Sequence, residues 1–353
     1  MIIFSSIHSL LSKYRLNQRI KRIDMRSQSR VSGLKLTSSQ RKQVNDFWDR
    51  YTSVRLNAHT FYFEKTGYFS PYYIPDSIHI YRIDPYFNDW GKAKHIDNKC
   101  YYRRIFPDCL MPKTIVYRIN GFWYNGDYKL INESQALLFI MENRECFIKK
   151  AIDSYGGKGV FYFNSMTQTI DYLKGILSDL TSDIVVQEAI VQSPTMSQLN
   201  ESSVNTVRLI SLLGNDGIVK IYSTIVRMGG VKGIKVDNAT SGGITCGVTE
   251  NGQLKNIAYN AKGDKFMEHP SSKIHFETIR IPNFDKVKEM VVKAHLQVPH
   301  FRLVSWDIAI DLYDNPILIE ANLCDGEIDF HQLNNGPLFN KDTEIILKEI
   351  FGK

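Results

Sequence analysis

The sequence contains no run approaching the roughly 18 consecutive apolar residues that a membrane-spanning helix needs, so no transmembrane segment is expected. Its five cysteines, Cys100, Cys109, Cys146, Cys246 and Cys324, are odd in number and form no C-x-x-C pair. That argues against a disulfide scaffold or a structural zinc site and fits a reducing compartment. The N-terminus, Met1-Ile2-Ile3-Phe4, lacks a basic n-region and a small-residue cleavage site, so no signal peptide is expected. Acidic residues are scarce at one end. The first 60 residues hold three acids (Asp24, Asp46, Asp49) against 12 Lys/Arg, hence +9 of a net charge of +7, which leaves about −2 for the remainder. A near-neutral body argues against a nucleic-acid enzyme, whose main domain would carry a basic face. There is no internal repeat, no P-loop and no dinucleotide fingerprint.

What is present can build a core: 353 residues, 43% hydrophobic, with 19 Tyr and 19 Phe, enough for two or three compact units. In residues 1–30, Ile3, Ile7, Leu10 and Tyr14 recur at helical spacing and are followed by a train of Lys and Arg. This predicts an amphipathic helix, either packed on the body with a solvated basic face or docked on a membrane surface or partner. A second helix is expected from Ser38-Ser39 to about Tyr51. Residues 60–116 are aromatic and punctuated by proline, which suits an irregular α/β lobe, because disordered linkers are poor in aromatics. Short strands follow around Thr114–Arg118 and Gly121–Tyr124, then a helix capped by Asn132, a strand at Cys146–Ala151, a helix over about Thr167–Leu180 and a strand at Asp183–Glu188. Beyond 205 the pattern turns to strands, with hairpin signals at Asn215-Asp216-Gly217 and Asn251-Gly252. A helix over about 282–296, a hairpin turning at Tyr313-Asp314-Asn315 and a helix over about 341–350 complete the chain.

Two stretches carry chemistry. In Phe147-Ile-Lys149-Lys-Ala-Ile-Asp-Ser154-Tyr-Gly156-Gly157-Lys158-Gly159, a strand delivers Lys149 and a glycine-rich loop follows. Glycines let backbone N–H groups close on phosphate oxygens, Lys149 supplies a fixed charge and Lys158 a mobile one. The stronger stretch runs from Ser305-Trp306-Asp307 to Glu320-Ala321-Asn322. Its turn lies midway between Asp307 and Glu320, so a hairpin sets those two carboxylates opposite each other, with Asn322 on the same face as Glu320. Facing carboxylates repel unless a cation joins them, and Mg²⁺ prefers such hard oxygen donors together with phosphate oxygens. Val185-Val186-Gln187-Glu188-Ala189-Ile190 suits a hinge whose backbone reads an adenine edge. Arg208, on the strand that follows Asn205, suits a clamp on a γ-phosphate or acyl-phosphate.

Taken in order, these residues resemble the ATP-grasp superfamily: a strand lysine, a glycine-rich loop, a second strand ending at the hinge acid Glu188, then Asp307 and the Glu320-x-Asn322 pair. The order and spacing look like those of D-alanine–D-alanine ligases. The chain departs from that pattern at Ser305, where an arginine often stands, and Arg208 is the candidate to fill that role. More narrowly, Tyr73-Ile-Pro, Gly156-Gly-Lys-Gly, Ser203-Val-Asn-Thr-Val-Arg208, Val236-Asp237-Asn238 with Gly242-Gly243, Ser305-Trp-Asp-Ile-Ala-Ile-Asp311 and Glu320-Ala-Asn-Leu-Cys-Asp325-Gly-Glu327 resemble the sugar-transfer-associated ATP-grasp family of polysaccharide loci.

The resemblance implies an α+β ATP-grasp fold: a basic helical extension (1–59), an N-terminal α/β lobe (60–145), a small lobe with the glycine-rich loop (146–190) and a large lobe with the metal hairpin (191–353). It implies ATP and Mg²⁺ as cofactors and an ADP-forming carboxylate–amine ligase, with a sugar kinase or a non-catalytic nucleotide-binding partner of a glycosyltransferase as alternatives. Lys149 and Arg208 are the expected catalytic residues. Lys149, Ser154, Gly156, Gly157, Lys158, Gly159, Gln187, Glu188 and Ile190 would hold ATP, and Asp307, Glu320 and Asn322 the metal. Asn205, Arg227, Asp237, Asn238, Gly242, Gly243, Asp325, Glu327 and Asp329, with Gln332 beside them, would line the acceptor site. The expected location is cytoplasmic, with residues 1–30 as a contact to the inner membrane face or a glycosyltransferase and no nucleic-acid partner.

Overall fold

The computed structural model describes residues 23, 31, 33–152, 159–230 and 242–352. Apart from Ile23, the amphipathic helix expected over residues 1–30 lies outside them. Helix α1 (Ser38–Trp48) starts at a capping box: Thr37 Oγ1 accepts from the Gln40 N–H, and Gln40 Oε1 accepts from the Thr37 N–H. Its Val44, Phe47 and Trp48 fall on one face and are buried. Helix α2 (Asn57–Thr66) ends at Gly67, whose φ of 77° is the left-handed stop that glycine adopts without strain. Helical turns continue through Asp76–Ile78, a π-turn at His79–Ile83, Asp84–Phe87 and Trp90–Ile96. Among the described residues the first strand begins at Thr114.

Six antiparallel strands form the first sheet, in the order β3-β2-β1-β6-β4-β5. They are β1 (Thr114–Ile119), β2 (Phe122–Asn125), β3 (Leu130–Ile131), β4 (Glu145–Lys150), β5 (Val160–Asn164) and β6 (Ile184–Glu188). Asn120 and Gly121, at φ 49° and 83°, turn β1 into β2, since a tight hairpin needs positive φ at both central positions. Helix α3 (Glu133–Glu142), boxed at Asn132 and Gln135, and helix α4 (Ile170–Asp179), capped by Thr169, pack on one face. That face presents Val116, Cys146, Ile148, Phe163, Ile184 and Val186, all buried. By strand alternation the other face carries Phe147, Lys149, Tyr162, Val185 and Gln187.

The second sheet has seven antiparallel strands in the order β11-β10-β9-β8-β7-β12-β13. These are β7 (Thr206–Leu213), β8 (Val219–Met228), β9 (Ile244–Val248), β10 (Leu254–Asn260), β11 (Lys265–Phe266), β12 (Leu303–Ile310) and β13 (Pro316–Asn322). Helix α5 (Phe284–His295) covers its apolar face, where Val207, Leu209, Val226, Cys246, Trp306 and Ile308 are buried. The indole N–H of Trp306 donates to Ser211 Oγ at 2.8 Å, and His295 Nδ1 shares that hydroxyl at 2.7 Å, so these three buried side chains pair with one another. Trp306 is 0% exposed, and its truncation to alanine should cost about 3–5 kcal/mol. On the opposite face, helix α6 (Asp329–Asn335) lies over β8 and β9. Gly247 permits the approach, because a Cβ there would stand 2.6 Å from Asn335 Oδ1 and 3.1 Å from Asn334 O. Further along this face Ile210, Leu212 and Leu303 join a cluster with α1 and helix α7 (Thr343–Phe351). Among the described residues no helix is long and apolar enough to cross a membrane.

Candidate active site

Beside α6 that face carries a polar row, buried at Arg208 and Asp307. Glu320 on β13 pairs with Asp307 on β12, and Asp307 pairs with Arg208 on β7. Directly opposed residues in antiparallel strands hold their Cβ atoms about 4.5–5.5 Å apart, so register alone brings the three side chains together. The Arg208 fork grips Asp307: Nε donates to Oδ1 at 2.7 Å and Nη2 to Oδ2 at 2.6 Å. Its Nη1 reaches Glu327 Oε2 at 3.2 Å. Arg227, on β8, approaches Asp307 Oδ2 at 3.5 Å. Burial would raise the Asp307 carboxyl, but Arg208, through charge and hydrogen bonds, and then Arg227 hold it below its ordinary value. Asp307 is therefore an anion fixed in orientation. Asn322 Nδ2 donates to Ser305 O at 3.2 Å and approaches Asp307 Oδ2 at 3.5 Å, so its amide oxygen points away from both.

At the other end of the row stands a residue that the sequence reading passed over. Lys99 Nζ contacts Glu320 Oε1 at 2.6 Å. It sits in the aromatic stretch without a motif around it, 221 positions from its partner, and only tertiary packing reveals it. Lys149, on β4 of the first sheet, donates to Gln187 Oε1 at 3.2 Å. Burial, and then the charge of Lys99, push its ammonium down to about 8, with Glu320 opposing. Lys149, Lys99 and Glu320 thus share one electrostatic neighbourhood where the two sheets face each other.

The remaining expected residues divide. Gly159 has φ 79°, a conformation suited to glycine; Ser154, Gly156, Gly157, Lys158, Asp237 and Asn238 lie outside the described residues. Glu188 pairs with Cys146 in register, which puts its side chain on the face that α3 and α4 cover, ion-paired with Lys113 at 2.6 Å. The Glu188 and Ala189 N–H groups already donate to Lys113 O and Glu145 O, and Ile190 follows half-buried at the strand end. Asn205 is 0% exposed and stands away from the row: its Nδ2 braces Gln192 Oε1, Met196 O and Asn200 O at 2.8–3.0 Å. Gln332, expected beside the acceptor, instead clamps the Ile74 backbone, accepting from its N–H and donating to its carbonyl, both at 2.9 Å. Gly242 turns at φ 86° on the surface and Gly243 begins the buried run into β9.

Glu327 joins the row through Arg208, and two contacts hold the turn that carries it. The Asp325 N–H donates to Asp84 Oδ2 at 3.1 Å, and His79 Nε2 meets Gly326 O at 2.8 Å. Burial, then Asp84 and Glu327, push the Asp325 carboxyl up to about 6. Asp329 opens α6, where its Oδ1 accepts the Phe330 N–H at 2.9 Å. This turn also explains Ser305: a Cβ on Gly326 would lie 3.1 Å from the Ser305 Cβ, so the turn occupies the space that a longer side chain would need. The guanidinium comes from the neighbouring strand instead.

The donor set fits a hard divalent cation. Asp307 and Glu320 offer two carboxylates on one face, and Asn322 shares that face with its amide nitrogen turned to Asp307. Among the described residues no group of three or more His, Cys, Asp or Glu side chains is placed to hold a metal ion by itself. Mg²⁺ characteristically takes one or two carboxylates and completes its shell with phosphate oxygens and water.

A family model described as sugar-transfer associated ATP-grasp matches residues 81–346. No curated protein matches. Among solved structures, the biotin carboxylase domain of Hydrogenobacter thermophilus 2-oxoglutarate carboxylase is 11% identical, covering 76% of this chain and 48% of that one, at a TM-score of 0.47. The D-Ala:D-Ser ligase VanG of Enterococcus faecalis is 13% identical, covering 72% and 60%, at 0.41. N5-carboxyaminoimidazole synthetase of Staphylococcus aureus is 14% identical, covering 69% and 51%, at 0.40. The chain spans about half the length of the first and third of these, and 60% of the second.

Proposed function

The chain belongs to the sugar-transfer associated ATP-grasp family, and from that premise we propose that it is an ATP-dependent carboxylate–amine ligase acting on a sugar-linked substrate. The observation that carries this reading is the charge order along the row. Cations Lys99 and Lys149 stand at the Glu320 end, paired carboxylates in the middle, and guanidinium groups Arg208 and Arg227 at the far end. Such an order suits two anions meeting over a metal, with nucleotide phosphates on one side and an acceptor carboxylate on the other.

In this reading Lys149 and Lys99 hold the nucleotide phosphates, the glycine-rich sequence supplies further N–H donors to them, and the backbone of Glu188–Ile190 meets the base. Asp307, Glu320 and Asn322 would hold Mg²⁺, which would supply charge neutralisation to a transferred phosphoryl group. Arg227, which among the described residues meets Asp307 at 3.5 Å, is the proposed donor to an acceptor carboxylate. Arg208 is fixed by Asp307 and Glu327 and acts as a rigid positive wall. The phosphorus–oxygen bond to the ADP leaving group breaks as the bond to the carboxylate forms, giving an acylphosphate. The amine nitrogen then bonds to the acyl carbon, phosphate leaves and the nitrogen gives up a proton. Catalysis on this account is placement and charge compensation. Gly242, Gly243, Asp325, Glu327 and Asp329, with Asp237 and Asn238, are the proposed acceptor lining.

One observation favours phosphotransfer to a sugar hydroxyl as a second reading. The Asp325 carboxyl, pushed up to about 6, is suited to accept a hydroxyl proton near neutrality. Incubation with ATP, uronic-acid sugars and amino acids separates the two. A ligase yields ADP, phosphate and an amide; a kinase yields ADP and a phosphorylated sugar; neither product overturns both. We place the protein in the cytoplasm and assign residues 1–30 to a membrane face or glycosyltransferase contact, supported by the +9 charge of the first 60 residues.

A further inference from the structure

We propose that the segment Asp97–Tyr102 is a positioning strap for the metal-binding strand, in which Lys99 serves as a displaceable counter-cation of Glu320 and Tyr102 fixes the peptide between Glu320 and Asn322. The inference rests on the assignment of Glu320 and Asn322 as metal ligands.

Strand β13 is the outer strand of its sheet, so its outward N–H and C=O groups need partners beyond the ladder. At Ala321 the partner is the Tyr102 hydroxyl. It lies 2.9 Å from Asp97 Oδ1, 3.3 Å from Ala321 O and 3.4 Å from Ala321 N. One hydroxyl carries one proton. The short contact to a carboxylate takes it, and a lone pair remains to accept the Ala321 N–H. Asp97, Tyr102 and the Ala321 peptide thereby form a chain whose end is the backbone between the two ligand-bearing positions. Burial first, and then Asp97 and Glu320, push the Tyr102 phenol well above its ordinary value, which keeps the proton in place.

Three residues before Tyr102, the same strap sends Lys99 to Glu320 at 2.6 Å. The Lys99 side chain is 9% exposed and that of Glu320 29%. A cation entering at Glu320 must replace an ammonium that has little room to leave. The displaced ammonium would also stay beside Lys149, where the two like charges already oppose each other. Phosphate oxygens relieve both conflicts. Metal and nucleotide therefore bind together, and the metal alone binds poorly.

The strap also reaches the other sheet. The Lys99 N–H donates to Ala151 O at 2.9 Å, just beyond β4, and Cys100 Sγ approaches Ile184 O on β6 at 3.4 Å. Tyr128 donates to Cys100 O at 2.7 Å. A six-residue segment thus touches the chain two residues after Lys149, the neighbouring strand β6 and the strand that carries Glu320, and release of Lys99 is felt where the two sheets face each other.

Mn²⁺ binding to the full chain, followed by the loss of free-ion paramagnetic resonance signal, tests this without any acceptor. Wild type should bind Mn²⁺ weakly alone and far more tightly with ADP. Lys99→Met, or Lys99→Gln if the first does not fold, should bind Mn²⁺ alone about ten-fold more tightly than wild type, the scale of one charge-assisted contact. Adding Glu320→Gln should remove that gain. Tyr102→Phe should weaken Mn²⁺-ADP about ten-fold on the same scale while metal-free ADP binds as in wild type, whereas a general structural defect would weaken both. Equal Mn²⁺ affinity with and without ADP in wild type, or no gain on loss of Lys99, overturns the strap while leaving the ligase reading intact. Failure of wild type to bind Mn²⁺-ADP at all removes the ligase reading itself.

Discussion

Arg208→Met is the perturbation whose consequences follow most directly from the site. The Asp307 side chain is 6% exposed and Arg208 8%, and the fork makes two contacts of 2.6 and 2.7 Å. Removing one partner of a buried pair leaves an uncompensated charge and costs about 3–5 kcal/mol, with the 3.5 Å approach of Arg227 offsetting a part. For a protein of this size that is a fall in melting temperature of roughly 4–7 °C. The pH dependence has a definite sign. In wild type the Asp307 carboxyl lies below its unfolded value, so its contribution is complete above the unfolded value and is lost only as pH falls through the lower, folded one. In the variant the burial effect prevails and the carboxyl rises. The folded state then prefers the protonated acid and loses stability as pH climbs from about 4 towards neutrality. Melting curves at pH 5 and pH 7.5 should show the larger loss at pH 7.5. Arg208→Met combined with Asp307→Leu should recover most of that stability and no activity, because an apolar pair replaces an unmatched charge. A loss greater at pH 5, or a double variant as unstable as the single one, would refute the reasoning.

Other expectations are simpler. Lys149→Ala should weaken ATP binding about ten-fold or more, on the scale of a charge-assisted contact of about 1.5–3 kcal/mol, and calorimetric titration giving wild-type affinity in a folded variant rejects that role. Glu320→Gln should abolish turnover with little change in melting temperature, since buried apolar residues of β12 and β13 hold the hairpin; residual wild-type turnover contradicts it. Glu327→Gln should raise the acceptor KM or lower kcat without altering ATP affinity, and lost ATP binding would move Glu327 to the nucleotide side. Full-length protein should co-sediment with anionic liposomes at low salt and not at high salt, and a variant lacking residues 1–30 should not; indifference of the full-length protein ends the membrane assignment.

The parts of the molecule that could be read from the chain are those encoded locally. The Asn215-Asp216-Gly217 signal turns β7 into β8, with Gly217 at φ 78°, and Asn251-Gly252 turns β9 into β10, with Gly252 at φ 86°. The hairpin between Asp307 and Glu320 was legible and the two residues do pair, but the register that leaves the turn, with Ile308 opposite Leu318, shifts by one at a bulge between Asp307 and Ile308, and that bulge sets Glu320 opposite Asp307. Helix limits moved by one to three residues: the C-terminal helix begins at Thr343 where Lys341 was expected. What the chain did not reveal depends on contacts remote in sequence. Lys99 finds Glu320 across 221 positions, and Gln332 finds Ile74 across 258. Arg208 was expected on a phosphate and is committed to Asp307, a partner 99 positions away. Asn205 reads as a polar residue near a site, yet it closes the loop ahead of β7 from within the core.

The central claim is that a carboxylate oxygen attacks the γ-phosphoryl group beside Asp307 and Glu320. The direct measurement is oxygen transfer. Candidate uronic acids labelled with ¹⁸O in the carboxylate are incubated with the full chain, Mg-ATP and amino acids, and released phosphate is examined by ³¹P resonance for the isotope shift. The ligase account predicts one ¹⁸O in the phosphate of each turnover, with ADP in equal amount, and none with Glu320→Gln. Turnover that releases unlabelled phosphate, or that leaves the phosphoryl group on a sugar hydroxyl, contradicts it.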